Sequence, residues 1–72
     1  MQKADLVRMA NQIAQFFEPY GGEEAVAGVG EHLRNFWDPR MRSQLAAIVK
    51  TEPGLLHELV RAAVAQQETP KS

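Results

Sequence analysis

This sequence predicts an all-α fold, a small bundle of three to four short helices, on three observations. Apolar residues recur at three- and four-residue spacing through most of the chain, the pattern of helices with one buried face. Prolines stand where that pattern breaks, at Pro19, Pro39 and Pro53, and proline biases the residue before it away from helical angles. There is no cysteine, so no disulfide can substitute for packing between the helices.

The first helix is expected over residues 5–18, with Leu6, Met9, Ala10, Ile13, Phe16 and Phe17 on its inner face and Arg8, Asn11, Gln12 and Gln15 outside. Asp5 suits an N-cap or a first-turn carboxylate, and Pro19 with Gly21-Gly22 ends the helix. The second is expected over 23–37. Glu23 and Glu24 sit at the positive end of its dipole, and Val26, Val29, Gly30, Leu33, Phe36 and Trp37 repeat the apolar stripe. Two interior glycines each cost about 1 kcal/mol against alanine in a helix, so each needs a reason. Gly30 falls in the stripe, where a missing side chain lets another helix approach. Gly28 falls on the other side with Glu31, His32 and Asn35, a candidate contact face for a partner.

A shift of 20 residues lays the first helix on the second, so that Phe16 meets Phe36, Phe17 meets Trp37 and Pro19 meets Pro39. This predicts a pseudo-symmetric hairpin whose paired aromatics meet in the core; a chance likeness of two amphipathic helices gives the same alignment. Asp38-Pro39 is then a helix-start signal, with the acid as N-cap and the proline at the first helical position, and it predicts a sharp corner. The third helix, 39–50, turns Met41, Leu45, Ile48 and Val49 inward and Arg40, Ser43, Ala47 and Lys50 outward. Thr51-Glu52-Pro53 repeats the start signal more weakly before a fourth helix over 53–65. Its apolar face is Leu55, Leu56, Leu59, Val60, Ala63 and Val64, with His57, Glu58 and Arg61 on the wet side. Residues 1–65 read as one helical domain and 66–72 as a disordered tail, because the tail is polar and carries no periodicity.

A chain of 72 residues buries only about 60% of the surface its unfolded form exposes, so docking on a partner, or self-association when isolated, is a physical expectation. Eight basic and nine acidic residues leave a formal net charge of -1, without the positive excess that binding to a phosphate backbone rewards; no nucleic acid is expected. The start is polar, and no apolar run approaches a signal-peptide core or the roughly 20 residues of a membrane span, so no membrane and a cytoplasmic location are expected.

Chemistry is sparse. His32 and His57 are 25 residues apart, and neither has a second histidine or a carboxylate at the i,i+4 spacing of a helical metal site. Gly21-Gly22 and Gly28-Val29-Gly30 lack the preceding strand of a phosphate loop. No catalytic, cofactor-binding or metal-binding residue is predicted. A small helix-turn-helix DNA-binding or regulatory protein is the alternative, since the third helix follows the second tightly and carries Arg40, Arg42 and Lys50. Against it, the junction is Asp-Pro rather than a glycine turn, and Ala46-Ala47-Ile48-Val49 presents little polar surface to bases.

The densest stretch is His32-Leu33-Arg34-Asn35-Phe36-Trp37-Asp38-Pro39-Arg40-Met41-Arg42. Leu33 and Phe36 read as core, and Trp37 as either core or a partly exposed anchor. Arg34, Arg40 and Arg42 face outward for a partner, since tryptophan and arginine dominate interface hot spots. The candidate partner interface is thus Gly28, His32, Arg34, Trp37, Asp38, Arg40 and Arg42.

With the run Leu6-Val7-Arg8-Met9-Ala10-Asn11-Gln12-Ile13-Ala14, the Phe36-Trp37-Asp38-Pro39-Arg40-Met41-Arg42 core resembles the small delta subunit of NAD-dependent, molybdenum-containing formate dehydrogenase. The resemblance implies a non-catalytic accessory subunit of a soluble complex that oxidises formate to carbon dioxide. It implies docking on the large subunits, the catalytic one foremost, for stability, assembly or maturation. The molybdenum pterin, iron–sulfur clusters, FMN and NAD would belong to those subunits and none to this chain. The lack of cysteine agrees, since iron–sulfur clusters are held by thiolates.

Overall fold

Each break in the apolar pattern becomes a turn in the computed structural model, which describes residues 2–68. Helix α1 runs Lys3–Phe17, a single 3-10 turn follows at Glu18–Tyr20, and α2 runs Gly22–Phe36. Helix α3 spans Pro39–Thr51, a second 3-10 turn spans Pro53–Leu55, and α4 spans Glu58–Glu68. The expected all-α bundle is present, and among the described residues there is no strand.

The turns are made by the residues that the sequence marks for them. Gly21 and Gly22 have φ of +75° and +50°, angles that residues with a Cβ rarely adopt. Trp37 and Asp38 are extended ahead of Pro39, and the Asp38 carboxylate accepts the Met41 backbone N–H at 2.8 Å, capping α3. Asp5 is a first-turn residue rather than the cap of α1, and it pairs with Arg8.

The core is a contiguous cluster from all four helices: Leu6, Ala10 and Ala14 from α1; Val29 and Leu33 from α2; Leu45 and Ile48 from α3; Val60, Ala63 and Val64 from α4. Trp37 and Leu56 join it from the connections. The α1 contribution recurs every fourth residue, and its two alanines let α1 lie close against its neighbours. Helix α2 packs most extensively on α4, where Gly30 is buried and its carbonyl accepts a 2.7 Å hydrogen bond from Gln67 Nε2.

Four expectations need correction. The paired aromatics do not all meet in the core. Trp37 is buried and Phe17 half-buried, whereas Phe16 and Phe36 are 67% and 73% exposed, because consecutive helical residues point about 100° apart and only one ring of each pair can face inward. The glycines exchange roles: a Cβ on Gly30 would meet Gln67 and Ala63 at ordinary contact distances, but one on Gly28 would lie 2.5 Å from the Phe17 ring. Gly28 is therefore covered from within the molecule. Helix α4 starts at Glu58 rather than near 53, and Leu55, expected on its apolar face, is 45% exposed on the preceding turn. Lastly, α4 continues through Gln66 and Gln67, which the sequence assigns to a disordered tail; residues 69–72 of that expectation lie outside the described residues.

The late start of α4 is built by one side chain distant in sequence and two close to the turn. Asn11 Nδ2 donates to the Leu55 carbonyl at 3.0 Å, and Asn11 Oδ1 accepts the His57 backbone N–H at 2.8 Å. Arg61 Nη1 donates to the carbonyls of Pro53 and Leu56. His57 Nδ1 accepts the Leu59 N–H at 3.0 Å, so the imidazole caps α4 while its Nε2 meets the Glu18 carboxylate. With these polar groups satisfied, Leu56 can be buried without helix around it.

Candidate functional site

Two surface features among the described residues combine exposed rings or free arginines with a recess. The first is an apolar groove of about 420 Å³ between the C-terminal halves of α1 and α2, lined by Met9, Gln12, Ile13, Phe16, Phe17, His32 and Trp37. Helical spacing places its rims. His32 and Phe36 are four residues apart on one face of α2, and their rings overlap at 4.7 Å between centroids. On α1, Phe16 stands edge-on to Phe17 at 5.0 Å, and Phe17 leans on Tyr20 at 5.7 Å. The half-buried Phe17 ring, resting on Gly28, thus supports the exposed Phe16. Two rings and a half-exposed Tyr20 form the largest exposed apolar side chains of this surface.

The second feature is a cleft of about 530 Å³ where α2, α3 and α4 meet. Arg34 and Arg42 stand beside an apolar floor of Val26, Ala27, Gly30 and Ala63, with Gln66 and Gln67 opposite. Three other basic groups have partners: Lys3 pairs with Glu52, Arg8 with Asp5, and Arg61 donates to two carbonyls. Among the described residues Arg34, Arg40 and Arg42 form no ion pair. Arg42 is half-buried, and its Nε–H is fully buried with no acceptor.

The seven residues singled out in the sequence therefore fall in different places. His32 borders the aromatic groove, while Arg34 and Arg42 line the basic cleft, about 200° away around α2 for the first of them. Arg40 is exposed at the start of α3, and Asp38 caps that helix. Trp37 takes the inner of its two open positions, 5% exposed at the groove floor. Gly28 lies beneath Phe17. Sequence reasoning missed Phe16 and Phe36 as surface groups; their exposure follows from Phe17 and Trp37 taking the inward positions, which periodicity alone does not decide.

His57 caps α4 and meets the Glu18 carboxylate, and the His32 ring stacks on Phe36. Among the described residues no group of three or more His, Cys, Asp or Glu side chains is arranged to hold a metal ion, and no helix is long and apolar enough to cross a membrane. What the surface offers is an apolar groove and unpaired guanidinium groups, the composition of protein interfaces.

Comparison with known proteins decides what kind of chain this is. The family model described as NADH-dependant formate dehydrogenase delta subunit FdsD matches residues 5–64. The chain belongs to that family. The match takes in α1 from Asp5 onward, α2 and α3 whole, and most of α4, so the core residues, the aromatic groove and both arginines of the cleft fall inside the FdsD region. No curated protein and no solved structure matches the chain.

Proposed function

We propose that this chain is a non-catalytic accessory subunit of a NAD-dependent formate dehydrogenase, docking on the large catalytic subunit to support its stability, assembly or maturation. Membership of the FdsD family across residues 5–64 carries the reading. The surface supports it: two exposed phenylalanines stand beside an apolar groove, and three arginines have no carboxylate partner among the described residues, a composition that suits a larger partner. The residues present do not fit the redox groups of such an enzyme. Without cysteine there is no thiolate for an iron–sulfur cluster, and on this reading the clusters, the molybdenum pterin, FMN and NAD are held by the partner subunits. Residues 1–65 then act as one docking domain in the cytoplasm. No observation favours the helix-turn-helix alternative.

The test is removal of the chain from its native cell and its return on a plasmid. The reading predicts reduced assembled enzyme and reduced formate-dependent NAD reduction, both restored by the returned copy. Undiminished assembly and activity in its absence would overturn it.

A further inference from the structure

We infer that the cleft between α2, α3 and α4 receives a carboxylate from another polypeptide, presented on an apolar-flanked segment and clamped by Arg34 and Arg42. The inference rests on the accessory-subunit reading and names the chemistry of the contact. Three observations converge. The two guanidinium groups line one cleft of about 530 Å³ and have no acid partner among the described residues. The Arg42 Nε–H is buried and unsatisfied, and a buried donor without an acceptor is expensive unless a ligand supplies one. The floor between the arginines and Ala63 is apolar, so it fits the side chains that flank an acid rather than a free hydrated anion.

A carboxylate suits this donor set because a guanidinium presents parallel N–H groups that match its two oxygens. Among the described residues neither guanidinium has a carboxylate partner, and Glu31, one turn before Arg34 on α2, forms no ion pair with it.

The experiment captures formate dehydrogenase subunits from the native cell on the tagged full-length chain, comparing wild type with Arg34→Glu, Arg34→Glu/Arg42→Glu and Arg34→Lys/Arg42→Lys. Folding of each is checked by circular dichroism; Arg34 is exposed, so Arg34→Glu alone keeps the test open if the double reversal is unfolded. The expected result is about a tenfold or greater loss of captured subunits on charge reversal, with the lysine variant retained. The amine introduced by Arg42→Lys should then couple, with a carbodiimide, to an Asp or Glu of the captured subunit. Equal capture by wild type and a folded charge-reversed chain overturns the cleft while leaving the accessory reading standing. Failure of wild type to capture any subunit removes both. Concentration-dependent chain growth of the purified wild type, abolished by Arg34→Glu, would identify a second copy as the source of the acid and also overturn the inference.

Discussion

Asn11 and His57, 46 residues apart, are joined by a 2.8 Å hydrogen bond from the His57 backbone N–H to Asn11 Oδ1, while Asn11 Nδ2 holds the Leu55 carbonyl. One amide on α1 thereby fixes the turn that starts α4. Asn11→Ala leaves both backbone groups without their partner and should destabilise the fold by about 1–3 kcal/mol. Asn11→Asp keeps the acceptor and loses the donor, so its loss should be smaller. Urea unfolding of the three chains checks the order.

The two glycines of α2 should respond oppositely to alanine. At Gly30 the added methyl meets Gln67 Nε2 at 3.5 Å and Ala63 Cβ at 3.8 Å, ordinary contacts, so Gly30→Ala should stabilise by up to about 1 kcal/mol through helix propensity. At Gly28 the methyl lies 2.5 Å from the Phe17 ring, which must leave its place against Phe16 and Tyr20. Overpacking costs about 1–3 kcal/mol and cancels or exceeds the propensity gain, so Gly28→Ala should be neutral to destabilising. Thermal unfolding midpoints should move in opposite directions, or only the Gly30 variant's should rise.

The corner between α2 and α3 depends on one cap. Asp38→Ala removes the acceptor of the Met41 N–H and should cost about 1 kcal/mol, whereas Asp38→Asn should be nearly neutral, because asparagine caps as well as aspartate. Equal losses in the two variants would show that the charge rather than the hydrogen bond matters.

Exposed and buried aromatics separate folding from docking. Phe16→Ala/Phe36→Ala should leave stability within about 0.5 kcal/mol, since both rings are largely in water, but weaken capture of partner subunits. Trp37→Ala should instead cost about 3–5 kcal/mol and unfold much of the population. A loss of assembly in a Trp37 variant therefore reports folding, and the phenylalanine pair is the clean probe of the groove.

Helix type, three of the four helix positions, the Gly21-Gly22 turn and the Asp38 cap are legible in the sequence because each rests on neighbours within one turn. The inward set of α3, Met41, Leu45, Ile48 and Val49, reads off its period in the same way. The start of α4 does not. Pro53 looks like a first helical residue until Asn11, distant along the chain, and Arg61, a turn or two ahead, take up the backbone groups that a non-helical Leu56 leaves open. The candidate surface divides along the same line. Arg34, Arg40 and Arg42 are recognisable as outward-facing from local position, but the pairing of Arg34 with Arg42 in one cleft needs three helices in place. For Phe16 and Phe36, periodicity admits either ring of each adjacent pair to the core, and only packing chooses.

The most direct measurement is capture of partners by the tagged wild-type chain from its native cell, with the retained proteins identified by mass spectrometry. The account predicts the large formate dehydrogenase subunit among them in near-stoichiometric amount. Repeated isolation of a folded chain without that subunit would contradict it.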